Sequence, residues 1–143
     1  MRVLVADDDP VYRSLLGDLL RQWQFEPVTV SNGRAALEML QRPEGPRLAI
    51  LDWMMPQMDG FEVARAIRAD KATEDIYVLL ITGSRNKEEV MKVLVCGADD
   101  YLIKPFQPID LKLHLRTAMR IQHLQQELKE LRALHEPQAA SAR

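Results

Sequence analysis

Five short apolar runs, rich in Val, Ile and Leu, constrain the fold of this chain more than any other feature of its sequence. Most of them lack the polar alternation of a half-solvated strand, so they predict strands that are buried on both faces. Stretches with helical spacing of apolar residues separate them. This alternation predicts a parallel sheet with helices on both faces. The runs are RVLVA, PVTV, RLAIL, IYVLLI and DYLI.

Capping signals place the helix starts directly after the strand ends. Asp9 precedes Pro10, which suits the first position of a helix. Two further pairs have the spacing of a cap and an acid three residues later. Five such units predict one α/β domain, a flavodoxin-like doubly wound sheet of five parallel strands in the order 2-1-3-4-5. The two pairs are Asp59 with Glu62 and Asn86 with Glu89.

Composition predicts a cytoplasmic protein of ordinary character. The chain has 143 residues, a net charge of −2 and 28% charged residues, which disfavours direct binding to nucleic acid. Its single cysteine, Cys96, cannot form an internal disulfide and suits a reducing compartment. The first residues reach acidic side chains too soon for a signal peptide or a membrane span, so no membrane partner is expected.

The sequence from Pro108 onward predicts one long helix that exceeds what the sheet needs. We therefore expect a domain over residues 1–120, a helical extension over 121–136 and a flexible tail over 137–143. Apolar residues in the extension follow the spacing of a coiled-coil seam. The seam either joins two copies of the chain or folds back on its own domain. Its residues are Ile121, Leu124, Leu128 and Leu131.

Polar residues end four of the predicted strands. Because the carboxyl ends of parallel strands share one edge, these side chains are expected to meet in one crevice. Two carboxylates about 4 Å apart repel by about 4 kcal/mol at an effective dielectric near 20, so the crevice needs a cation, by default Mg²⁺. The residues are Asp7 and Asp8 after the first strand, Asp52 on the third, Thr82 on the fourth and Lys104 on the fifth.

This set of side chains suits phosphoryl chemistry. An ammonium and a hydroxyl can hold phosphoryl oxygens, and an aspartate can form an aspartyl phosphate. The chain lacks a glycine-rich phosphate loop, so direct use of ATP is not expected. The phosphoryl group would come from another protein or from a small acyl phosphate.

Four segments, VLVADDDP, LAILDWMMPQMDG, LLITG and GADDYLIKPF, together resemble the signatures of the receiver domain of two-component response regulators. The resemblance covers roughly residues 1 to 120. It implies that Asp52 accepts phosphate from a sensor histidine kinase or phosphotransfer protein, and that Asp7 and Asp8 bind Mg²⁺ with it. It further implies that the Met54 carbonyl binds the metal.

The same resemblance assigns the switch. Lys104 and Thr82 would contact the phosphoryl group, Tyr101 would turn inward, and the Lys104-Pro105 bond is expected to be cis. The face of the fourth helix, fifth strand and fifth helix would then change shape and meet a partner, or a second copy. The chain is either a stand-alone receiver or part of a longer regulator, for example one with a diguanylate cyclase or phosphatase output.

One position departs from the residues usual in this family, and two more bear on how long the phosphate lasts. Gly83 stands where the family often has Ala or Ser, but its small size still lets the loop approach the phosphate. Met54 and Ser84 occupy positions that tune the lifetime of the aspartyl phosphate in this family. We predict that the apolar side chain of Met54 shields the phosphate from water.

A haloacid-dehalogenase-type phosphatase that uses Asp7 is the alternative from another functional class. The Asp7-x-Asp9 pattern suits it, and Thr82, Lys104 and the acids at 99–100 loosely resemble its other motifs. However, the lysine follows the acidic pair, the chain has no room for a cap domain, and Asp52 is left unexplained. The receiver interpretation instead predicts a phosphoacceptor and not an enzyme with turnover, with the acids at 99–100 as solvated loop charges.

Overall fold

The computed structural model describes residues 1–83 and 86–135, except for the side chain of Lys87. Ser84, the end of the predicted extension and the predicted tail at 137–143 lie outside these residues. Five parallel strands form one sheet in the order 2-1-3-4-5, which confirms the predicted topology. The strands are β1 (Arg2–Ala6), β2 (Glu26–Val30), β3 (Leu48–Asp52), β4 (Tyr77–Thr82) and β5 (Asp100–Ile103).

The helices cover both faces of the sheet, as predicted, and each face has its own apolar core. Helices α1 and α5 pack on one face around Leu16, Leu20 and Leu115. Helices α2, α3 and α4 pack on the other around Leu40 and Ile67. The helices are α1 (Pro10–Gln22), α2 (Gly33–Gln41), α3 (Gly60–Ala69), α4 (Lys87–Cys96) and α5 (Pro108–His135).

Burial follows strand position in the sheet. The inner strands β1, β3 and β4 are buried along almost their whole length. Strands β2 and β5 lie at the two edges and are partly exposed, so the prediction of burial on both faces is wrong for them. The three inner strands are also the ones that carry Asp7, Asp52 and Thr82 to the carboxyl edge.

Side-chain caps start the helices close to that edge. Asp9 caps α1 by accepting the backbone N–H of Val11 at 3.0 Å, with Pro10 at the first position. Asp59 and Glu62 form the predicted capping box at α3. At α4, Asn86 is the cap and accepts the backbone N–H of Glu88. The caps fix where each helix leaves the crevice.

One arginine, Arg68, joins α3 to the loops that flank β4 and β5. Its guanidinium donates to the carbonyls of Gly97 and Ile76 at 2.7 and 2.6 Å and pairs with Asp99. The Asp99 carboxylate also accepts the backbone N–H of Val78 at 2.8 Å. Asp99 is therefore a structural ion-pair partner, and its interpretation as a solvated loop charge is wrong.

Helix α5 is much longer than the sheet it covers. Its 28 residues extend about 42 Å, whereas a strand of five residues extends about 17 Å. Leu111, Leu115 and Ala118 bury the first half against the sheet. No helix in residues 1–83 and 86–135 is both long and apolar enough to cross a bilayer.

The second half of α5 turns a polar side toward its own domain. Gln122 Nε2 donates to the carbonyl of Asp75 at 2.9 Å, and Lys129 pairs with the Asp75 carboxylate. Of the predicted seam, only Ile121 packs against the core. The other three residues are exposed, so the alternative in which the whole stripe folds back is wrong. They are Leu124, Leu128 and Leu131.

Two glycines allow the loop after β3 to lie close to its neighbours. A Cβ on Gly60 would lie 2.7 Å from the carbonyl oxygen of Asp52 and 2.9 Å from Leu80 Cδ2. A Cβ on Gly33 would overlap the backbone of Met58. The absence of a side chain at these positions lets α2 and α3 begin against the loop that contains the site.

We expect Gly60→Ala to lower the free energy of unfolding by about 1–3 kcal/mol, because backbone and a buried leucine must move to admit the methyl group. Urea unfolding measures the change. Gly83→Ala is the control, since a Cβ there meets nothing within 4 Å, and it should alter stability by less than about 1 kcal/mol. Equal losses in the two variants would contradict the steric explanation.

Candidate functional site

Three carboxylates meet at the carboxyl edge of the sheet. Asp7 follows β1 directly and Asp52 ends β3, the neighbouring strand in the sheet, with Ala6 and Leu51 in register just before them. One oxygen from each of Asp7, Asp8 and Asp52 lies within 4.8 Å of the others. The sequence prediction that these residues converge is thus matched by their placement.

The backbone around β1 holds Asp7 in a buried position. Asp7 is 1% exposed, and its Oδ1 accepts the backbone N–H of Asp9 at 2.9 Å. Its carbonyl accepts from Arg13 Nη1 at 2.7 Å, and its own N–H donates to Val30 O. Asp8, in contrast, is exposed. Hydrogen bonds therefore hold Asp7 in place, whereas Asp8 contacts solvent.

Lys104 brings a positive charge to the carboxylates from the end of β5. Its Nζ lies 3.3 Å from Asp7 Oδ2 and 3.5 Å from Asp52 Oδ1. The Lys104-Pro105 peptide bond is cis. The Lys104 backbone N–H donates to the carbonyl of Thr82 at 2.7 Å, which joins the ends of β4 and β5. Thr82 itself is 2% exposed.

Tyr12 is a site residue that the sequence analysis missed. Lys104 Nζ lies 4.1 Å from the centre of the Tyr12 ring, a cation–π contact. Phe106 packs edge-on against the same ring at 5.9 Å. Burial raises the pKa of Tyr12, and so do Asp7 and Asp52, against the opposing effect of Lys104. The sequence feature that could have identified Tyr12 is its place on the first turn of α1, directly after the acidic run.

The surroundings of Asp52 destabilise its ionised form. Burial raises the pKa of Asp52 to about 6, the Asp7 carboxylate adds to the rise, and Lys104 opposes it. Burial alone would lower the pKa of Lys104, but Asp52 and Asp7 outweigh it and the pKa rises. The ammonium of Lys104 therefore stabilises both carboxylates, but for Asp52 it does not fully offset the effects of burial and of the neighbouring acid.

The remaining predicted residues lie around this centre. Met54, two residues after Asp52, has a side chain that is 73% exposed. Tyr101, on β5, is partly buried and packs against the core beneath α2, α3 and α4. Their assigned roles, a carbonyl ligand and a switch, remain predictions.

The donor set fits a hard divalent cation. Carboxylate oxygens are the ligands that Mg²⁺ prefers, and three lie close enough to share one ion. Burial, with the Asp7 carboxylate, raises the pKa of Asp52 despite Lys104. A bound cation would favour the ionised form of Asp52.

We expect Asp52→Asn to raise the free energy of unfolding of the metal-free protein by about 1–3 kcal/mol near pH 7.5. The unfolded chain ionises this carboxyl near pH 3.8 and the folded chain near 6, so folding loses stability as pH rises through that window. Below about pH 3 the two proteins should converge, because the carboxyl is then largely protonated in both states. If the variant were less stable than the wild type at pH 7.5, the inference that ionised Asp52 destabilises the fold would be wrong.

Known proteins match the sequence over most of its length. The response regulator receiver domain matches residues 3–116. The phosphate regulon transcriptional regulatory protein PhoB of Escherichia coli is 34% identical over 119 residues, 83% of this chain and 52% of PhoB. A chemotaxis protein CheY homologue of Campylobacter jejuni is 32% identical over 120 residues, 83% of this chain and 92% of the homologue. This chain thus spans about half the length of PhoB.

A solved structure matches the fold and contains a metal. The receiver domain of the sensor histidine kinase PA1611 from Pseudomonas aeruginosa aligns with a TM-score of 0.74 and 25% identity, over 81% of this chain and 94% of that one. Its crystal structure has a magnesium ion coordinated in the active-site cleft.

The phosphatase alternative is not supported. Asp9, which completes its Asp-x-Asp pattern, caps α1, and Asp99 is bound to Arg68. The family match extends instead across the strands that carry Asp7, Asp52 and Lys104. The chain belongs to the receiver domain family of two-component response regulators.

Proposed function

We propose that Asp52 accepts a phosphoryl group from a phosphohistidine of a sensor histidine kinase or phosphotransfer protein. The placement of Asp52 carries the proposal. This carboxylate ends a buried strand, lies 3.5 Å from an ammonium and shares its crevice with two further acids. A buried carboxylate in such surroundings is costly unless a function needs it.

The transfer needs Asp52 in its ionised form. An Asp52 carboxylate oxygen attacks phosphorus, the phosphorus–nitrogen bond breaks, and the electron pair of that bond stays on the imidazole, which takes a proton from water. The product is an aspartyl phosphate. Lys104 lowers the pKa of Asp52 against the effect of burial and so favours the attacking form.

Mg²⁺ is the proposed cofactor, held by Asp7, Asp8 and Asp52 with the backbone carbonyl of Met54. When bound, it would neutralise the carboxylates and bind phosphoryl oxygens. Lys104 would hold a phosphoryl oxygen by a charge-assisted hydrogen bond. The fit of the acidic cluster to a divalent ion supports this assignment.

The proposed switch begins at Thr82. Its hydroxyl would turn to the phosphoryl group, because Thr82 pairs with Ile103, the residue before Lys104. Tyr101, three residues before Lys104 on β5, would then move further inward. The surface of α4, β5 and α5 would change with them. Exposed apolar residues on that surface, such as Leu94 at 72%, offer a contact for a downstream partner.

We further propose that the chain is a signalling domain without turnover and acts in the cytoplasm. The buried thiol of Cys96 suits a reducing compartment. An output function, if this chain is part of a longer regulator such as PhoB, would reside in other segments. The boundaries at residues 120 and 136 remain part of this proposal.

We expect incubation with acetyl phosphate and Mg²⁺ to add one phosphoryl group, measured by intact mass. Asp52→Ala and added EDTA should abolish it, and Asp7→Ala should strongly reduce it, because the nucleophile or the metal is lost. Asp18→Asn, which removes an exposed acid on α1, is the control. Uptake by Asp52→Ala but not by Asp7→Ala would place the nucleophile on Asp7 and reject the proposal.

We expect Met54→Asn to shorten the lifetime of the aspartyl phosphate about three- to tenfold, a barrier change of about 1 kcal/mol. The polar side chain would admit and orient water where the apolar one excludes it. Decay of the phosphorylated mass after removal of acetyl phosphate measures the rate. Met91→Asn, an equally polar change on the exposed side of α4, should leave it unaltered. Unchanged or slower decay in Met54→Asn would contradict the shielding.

A further inference from the structure

We propose that the second half of α5 forms a parallel two-stranded coiled coil with a second copy of this chain. The seam consists of Ile121 and Leu128 at a positions and Leu124 and Leu131 at d positions. Leu124, Leu128 and Leu131 are 54%, 47% and 54% exposed. This association does not depend on phosphoryl transfer.

The attachment of α5 to its own domain leaves Leu124, Leu128 and Leu131 accessible, while Ile121 packs partly against the domain core. Ala118, Gln122 and Lys129 share the side that contacts the domain. At about 100° per residue, Leu124 and Leu128 lie about 80–120° round the helix from Ala118. Contacts of Gln122 and Lys129 with Asp75 hold the helix in this orientation, so little freedom is lost on association.

Charges beside the seam select a second copy of the same chain as the occupant. In a parallel pair, a g residue faces the partner's e residue five positions later. Glu127 is at g, and Arg132 is at e, five residues on. Each Glu127 would therefore face the partner's Arg132, twice per dimer. Within one helix, residues five apart do not contact each other, so Glu127 and Arg132 can pair only between two chains. In the single chain Glu127 contacts His123 Nε2 at 3.1 Å, an exposed contact on its own helix.

An unsatisfied acceptor supports the same register. Gln125 is at the other e position, and its Oε1 is buried without a hydrogen-bond partner within the described residues. The register brings the partner's Arg120, at the preceding g position, opposite Gln125. A rotation of the Gln125 amide toward the seam would give this oxygen a donor, which it lacks in the single chain.

Sedimentation velocity of the full chain between about 10 µM and 1 mM tests the association. Two heptads predict a weak, concentration-dependent dimer. The variant with Leu124→Asn and Leu128→Asn should stay monomeric over this range, with circular dichroism and urea unfolding to verify that it is folded. A monomeric wild type, or a dimer that survives both substitutions, would overturn the proposal; the latter would place the interface elsewhere, for instance on α4, β5 and α5.

Charge reversal tests the register. Glu127→Arg and Arg132→Glu should each weaken the dimer about three- to tenfold, and the double variant should restore it. Glu130→Arg, which changes the charge identically on the side of α5 away from the seam, should have no effect. Failure of the double variant to recover would reject the Glu127–Arg132 pairing.

A cysteine tests the orientation. Equivalent d residues lie side by side in a parallel pair, so Leu124→Cys should form a disulfide-linked dimer on mild oxidation. The wild type is the control, since its Cys96 is buried. If Leu124→Cys links only to Leu128→Cys in a mixture of the two variants, the helices are antiparallel and the proposal is wrong.

Discussion

The contact of one lysine with two carboxylates is the interaction on which this site depends. Asp7 and Asp52 come from neighbouring strands, and their oxygens lie near enough to repel strongly. Lys104 reaches both at 3.3 and 3.5 Å, from the end of a different strand. Because three strands supply the three charges, the site exists only when the sheet is assembled. The opposing charge remains insufficient, and Asp52 keeps a pKa near 6.

The parallel topology and the buried strand-end acids could be predicted from sequence because each rests on a local pattern. Apolar runs predict strands, and the parallel arrangement then brings Asp52 and Lys104 to one edge without further information. The edge position of β2 is different. Its exposure depends on which strand lacks a neighbour, and this follows from the whole topology and not from the run itself.

Features that depend on contacts between distant segments could not be predicted. From the sequence, Tyr12 is an ordinary helix residue, and only the fold brings Lys104 over its ring. Asp99 reads as a loop charge until Arg68 reaches it from α3. The Asp59-Gly60 pair predicts a turn and a helix cap, but it does not show that the missing side chain of Gly60 determines how closely α3 approaches β3. In each case the sequence gives the residue type, and the tertiary structure gives its partner.

The attachment of α5 at Asp75 has a mechanical consequence. Asp75 holds the helix near Gln122, at the edge of the sheet opposite the carboxylates, so the helix has a pivot partway along its length. The 14 residues from Gln122 to His135 form an arm of about 20 Å. A tilt of about 5° at the pivot moves the far end by about 2 Å, an amplitude comparable to helix shifts at subunit interfaces. A rearrangement too small to disturb the packing of the sheet is thus magnified at the end of the helix.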